Sequence, residues 1–131
     1  MNRLTNKVVL ITGIGGGMGR AAALTFAAEG AKVIGCDIVA EGLEETVALV
    51  KQAGGEITGF APVNLSNAEE TQKWIDEAAT VYGGIDVLYN NASHPKFGSV
   101  EELSIEDWDY VMNNELNLVF YACKAVWPHL K

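Results

Sequence analysis

The sequence predicts an α/β protein built on a doubly wound parallel sheet, and three observations carry that expectation. Short β-branched runs alternate with longer amphipathic stretches along the whole chain, the signature of strands joined by crossover helices. The first run, "VVLI", feeds "TGIGGGMG", in which five of eight residues are glycine, and the alanine-rich stretch "RAAALTFAAEG" follows at once. A second run, "AKVIGCD", ends on an acidic residue about twenty positions beyond those glycines.

In chain order, "KVVLIT" is the first strand, and a helix runs from Gly17 to Glu29 until Gly30 closes it. "AKVIGCD" is the second strand. The helix after it covers "EGLEETVALVKQA", with Leu43, Val47 and Val50 on one face, and ends at Gly54 and Gly55. "EITGFAPV" is the third strand, with Pro62 at its end because proline cannot donate to a ladder. Ser66 and Glu69 spell a capping box for a helix that shows Thr71, Ile75, Ala78 and Tyr82 on one face and stops at Gly83 and Gly84. "IDVLYNNA" is the fourth strand. After the loop "SHPKFGSVEEL", Ser104 and Asp107 mark the start of a long helix, with Trp108, Val111, Leu118 and Ala122 in phase, running towards Trp127 before Pro128. Right-handed crossovers give the strand order 3-2-1-4, with the topological switch between strands 1 and 4, where such sheets bind ligands.

The composition narrows the function. No linker or composition shift divides the 131 residues, so residues 1–131 are expected to be one domain around one core. Nine Lys and Arg against seventeen Asp and Glu leave a net charge of −8 without a basic cluster, which argues against nucleic acid and anionic membranes as partners. No apolar run approaches membrane-spanning length, and a soluble, cytoplasmic protein is the expectation. Cys36 and Cys123 have no metal-ligand spacing, so no metal site is expected and both read as small core hydrophobes.

A glycine loop between a strand and a helix leaves backbone N–H groups and the positive end of the helix dipole aimed at one point, with no Cβ atoms to block a pyrophosphate. The loop lacks a GKS or GKT ending, which disfavours a P-loop NTPase. Counting G-x-G-x-x-G from Gly13 puts Met18 at the last glycine, whereas Gly13, Gly17 and Gly19 fit T-G-x-x-x-G-x-G. Asp37 ends the second strand, where a carboxylate can accept hydrogen bonds from both adenosine ribose hydroxyls and repel a 2′-phosphate. NAD is therefore favoured over NADP.

In these residues the chain resembles the short-chain dehydrogenase/reductase family, in the group whose cofactor loop reads T-G-x-x-x-G-x-G. Thr12, Gly13, Gly17 and Gly19 match that loop, Asp37 matches the acidic ribose position, and Asn90, Asn91 and Ala92 match the N-N-A of N-N-A-G. The resemblance implies a Rossmann-like fold, a nicotinamide dinucleotide and hydride transfer on a carbonyl/alcohol pair. The candidate cofactor-binding residues are Thr12, Gly13, Gly17, Met18, Gly19, Asp37, Asn64, Asn91 and Ala92.

Three positions depart from the family pattern. Ser93 stands at the glycine of N-N-A-G, and Asn64 stands where an Asp usually meets the adenine ring. Glu115 falls where W-x-x-V-x-x-x-N places the catalytic Asn, and a Glu there is expected to weaken the proton relay that the Asn helps to hold. The catalytic Ser, Tyr and Lys that the resemblance implies belong to a fifth strand and helix beyond Lys131. No Tyr in the chain has a Lys four positions on, Tyr121 and Lys124 being three apart. The expectation is a sheet truncated after the fourth strand and its helix, a cofactor-binding half that is inactive alone. His94, in the loop after strand 4, reads as a solvated histidine. The alternative is a non-catalytic module that forms a homo-oligomer or pairs with a longer relative through the exposed edge "VLYN" and the face of Trp108.

Overall fold

The computed structural model describes residues 2–130. Four parallel strands, β1 (Val8–Thr12), β2 (Lys32–Cys36), β3 (Glu56–Phe60) and β4 (Val87–Tyr89), lie in the order β3-β2-β1-β4. Helices α1 (Gly17–Ala28), α2 (Ala40–Gln52), α3 (Ala68–Val81), α4 (Ile105–Val111) and α5 (Leu118–Val126) form the crossovers and the final layer. β1 is central, with Val9 level with Val33 on one side and with Val87 on the other.

All five residues of β1 are buried, as a strand covered on both faces requires. The pleat then sorts them. Val8 and Leu10 join Ile34, Trp74, Ile75, Leu118 and Val126 beneath α3 and α5, while Val9 and Ile11 join Ala23, Val33, Leu43 and Ile57 beneath α1 and α2. The chain therefore reverses its winding between β1 and β4, and a crevice opens beyond the carboxyl ends of these two strands.

Local chemistry moves some of the expected boundaries. Strand 4 is cut to three residues, and side chains meet backbone groups just beyond both of its ends. Asp86 Oδ2 accepts from Val8 N (2.8 Å) below it, and the Asn91 and Ala92 amides turn to Thr12 Oγ1 above it (2.9 Å each). The cap of α3 is Asn67, not Ser66: Asn67 Oδ1 accepts from Glu70 N (3.0 Å), while the Ser66 amide and hydroxyl both donate to Asn64 Oδ1. Ser104 caps α4 as expected, accepting from Asp107 N at 3.0 Å. The long last helix is interrupted by a π-helical segment, Met112–Asn117, between α4 and α5.

The cysteines also divide. Cys36 is buried, and desolvation pushes its thiol well above the ordinary range, which suits a packing role. Cys123 is exposed, contrary to expectation. It lies on α5 within 3.5 Å of Asn90 Nδ2.

Candidate functional site

The loop from β1 to α1 is built by close approach. Gly13, at φ +72°, turns the chain so that its own amide and that of Ile14 both donate to Cys36 O, at 2.9 and 3.1 Å. A Cβ on Gly19 would lie 1.9 Å from Gly13 O, so only glycine lets the first turn of α1 pack on the loop. A Cβ on Gly16 or Gly17 would meet no atom within 4 Å, which leaves the outer side of the loop open. No side chain caps α1 and no acid sits in its first turn, so the amides at its start face that opening with the positive helix end behind them.

Asp37 stands beside the loop at the end of β2. Its Oδ2 accepts from Gly15 N (2.8 Å) and its Oδ1 from Val39 N (3.0 Å), which fixes the carboxylate at the crevice. The opposite wall is Asn91 and Ala92. Their amides hold Thr12 Oγ1, and Asn91 Nδ2 donates to Thr12 O (3.1 Å) and Gly13 O (3.0 Å). Asn90 faces away from these groups towards Cys123, leaving its Oδ1 buried without a partner among the described residues.

Between the walls lies a cleft of about 460 Å³ that Gly13, Met18, Asp37, Asn64, Asn91 and Ala92 help to line. These candidate residues thus converge on one space, while Gly17 and Gly19, in the first turn of α1, do not line it. Thr12 is fully buried and serves as the acceptor that joins β1 to the segment after β4. No Lys or Arg is among the described residues that line the cleft.

A second anchor of the loop escaped the sequence reading. Arg20 donates from Nη2 to Gly15 O (3.0 Å) and Gly42 O (3.3 Å), from Nε to Thr46 Oγ1 (3.0 Å), and pairs with Glu45. Buried Thr46 donates to Ile14 O at 2.6 Å. A helical Arg in an amphipathic stretch ordinarily reads as solvated. The only signal was Gly42, where a Cβ would come within 2.4 Å of Gly15 O.

Glu115 projects from the π-helical segment towards Ser93 and His94, which line the cleft. Its Oε1 accepts from both Ser93 Oγ and His94 N, each at 2.7 Å. His94 is exposed, yet its Nδ1 contacts the Tyr110 hydroxyl, and Asn114 Nδ2 donates to Tyr110 O (2.9 Å). Tyr121 and Lys124 lie on α5, where Lys124 Nζ sits 5.9 Å from the Phe120 ring centroid; neither lines the cleft.

The short chain dehydrogenase family model matches residues 7–131. The chain belongs to that family. It is 37% identical over 124 residues to D-threitol dehydrogenase of Mycolicibacterium smegmatis, covering 95% of this chain and 47% of that protein. It is 38% identical over 128 residues to meso-2,3-butanediol dehydrogenase of Serratia marcescens, covering 98% and 50% respectively. A short chain dehydrogenase crystal structure from Mycobacterium smegmatis superposes with a TM-score of 0.93 at 30% identity, covering 98% of this chain and 54% of that one. The chain thus spans about half the length of the curated relatives it matches. The family binds a nicotinamide dinucleotide, and among the described residues no helix is long and apolar enough to cross a membrane.

Proposed function

We propose that this chain is the NAD(H)-binding part of an oxidoreductase that moves a hydride between the cofactor and a carbonyl/alcohol pair. The observation that carries the reading is Asp37, a fixed carboxylate beside an open glycine loop, in a cleft with no basic lining residue among those described. A carboxylate there accepts ribose hydroxyls and repels a 2′-phosphate, which favours NAD over NADP. The amides of Gly17, Met18 and Gly19 would hold the diphosphate, with Asn64 beside the adenosine and Asn91 and Ala92 along the remaining wall. The nicotinamide ring supplies the hydride acceptor or donor when bound. Turnover by these residues alone is not expected, since no Tyr-x-x-x-Lys occurs in the chain.

Calorimetry on the folded chain tests the reading. NAD and NADH should saturate, NADP should bind at least about tenfold more weakly, and Asp37→Ala should narrow that gap. Equal affinity for NAD and NADP, or no saturation with millimolar NADH, overturns it.

A second reading has its own observation. Ile105, Trp108, Leu116, Phe120 and Trp127 are all more than half exposed and follow one another along α4, the π-helical segment, α5 and the turn after it. Such a stripe favours pairing with a second copy or with a longer relative. Sedimentation should give a dimer that Phe120→Glu dissociates; a monodisperse wild-type monomer counts against self-pairing.

A further inference from the structure

Two departures from the family pattern meet in space. Ser93 replaces a glycine and Glu115 replaces an asparagine, and the hydroxyl of the first donates to the carboxylate of the second at 2.7 Å. The same oxygen takes the amide of His94 at 2.7 Å, so one acceptor holds two consecutive residues of a segment that has no strand or helix of its own. The pair is mutually dependent: a glycine at 93 has no side-chain donor, and an asparagine at 115 is one methylene shorter.

The surrounding contacts follow the same line. The His94 ring meets the Tyr110 hydroxyl, Lys96 pairs with Asp107, and Lys96 Nζ lies 4.6 Å from the Tyr110 ring centroid. Upstream, Asn91 and Ala92 are tied to Thr12. The segment 91–96 is therefore a strap fastened to β1 at one end and to the helical stretch 107–115 at the other. Ser93, His94, Tyr110 and Asn114 line the cleft along it.

We propose that Ser93 and Glu115 act as one positioning unit, which fixes the strap as the wall against which the part of the dinucleotide beyond the diphosphate comes to rest. The proposal rests on the dinucleotide reading of the cleft. Glu115 acts through Ser93 and His94, as a positioning residue.

Three readouts on the 131-residue chain test it: NADH emission on binding, ADP-ribose affinity by calorimetry, and exchange of the His94 amide by NMR. Glu115→Ala should lower NADH affinity about tenfold and abolish the emission change, while ADP-ribose affinity stays within about twofold. Glu115→Gln should behave as wild type in all three, because its amide oxygen accepts both bonds. Ser93→Ala added to Glu115→Ala should cause no further loss, as expected of residues acting as a unit. Equal loss of NADH and ADP-ribose affinity in Glu115→Ala would reduce the pair to a structural role and overturn the proposal. So would an unchanged His94 exchange rate. If wild type binds neither ligand, the dinucleotide reading fails and the positioning role with it, while His94 protection still reports whether the strap is fastened.

Discussion

Replacing Thr12 by Val tests what joins β1 to the segment after β4. Thr12 is fully buried, and its hydroxyl oxygen is the acceptor for two amides, Asn91 N and Ala92 N, each at 2.9 Å. Valine keeps the shape of the side chain, opens no cavity and adds apolar surface, so a burial argument by itself predicts a neutral or stabilising change. The hydrogen-bond argument predicts the opposite. Two partly buried donors lose their acceptor, at about 1 kcal/mol each, for a total of about 2 kcal/mol. At about 4 °C per kcal/mol for a chain of this size, Tm should fall by about 8 °C. Thr12→Ser keeps the acceptor and removes one methyl group, which costs about 0.8 kcal/mol. The order of stability is thus wild type, Ser, then Val. Urea denaturation with an unchanged m-value reads it directly. If Val proves as stable as Ser or more so, the tie through Thr12 is not what holds the two strand ends together.

Two further outcomes follow from the same geometry. Gly19→Ala places a methyl group against the backbone of Gly13, so dinucleotide affinity should drop by at least about tenfold while circular dichroism still reports a folded sheet; unchanged affinity refutes the close-packing account. Glu29 accepts from the Arg3 amide and then from the Arg3 guanidinium, which lower its pKa from 4.5 to about 2. Because the folded value is the depressed one, its contribution is complete above pH 4.5 and is lost as the pH falls from there through about 2. Glu29→Gln should flatten acid unfolding in that window, and superimposable curves for the two proteins would exclude the effect.

The strand order and the crevice were legible because they rest on periodicity and on the handedness of crossovers, both of which are written locally. The glycine loop and Asp37 were legible for a similar reason: a strand end, a tight turn and a helix start are contiguous in sequence. What the sequence hid depends on partners far along the chain. Arg20 and Thr46 are 26 residues apart, and nothing in either helix states that the two side chains grasp the same loop. The cap of α3 slipped from Ser66 to Asn67 because Asn64 offers Ser66 a competing turn, a contest that spacing rules do not decide. The π-helical segment lies where the pattern reads as an unbroken helix, and Cys123 looked like a core residue because composition cannot tell which face of α5 points outward.

The anchoring of the glycine loop sorts its backbone by polarity. Asn91 takes the carbonyl of Gly13, Thr46 that of Ile14, and Arg20 those of Gly15, through its side chain, and Gly16, through its amide. Every oxygen of this short run is thus turned into the protein, and the uncapped nitrogens at the start of α1 are what meets the solvent. A surface of that kind attracts small oxyanions in general. Inorganic phosphate or sulfate in a buffer should therefore compete with the proposed dinucleotide, lowering the apparent affinity as the concentration of the buffering salt rises.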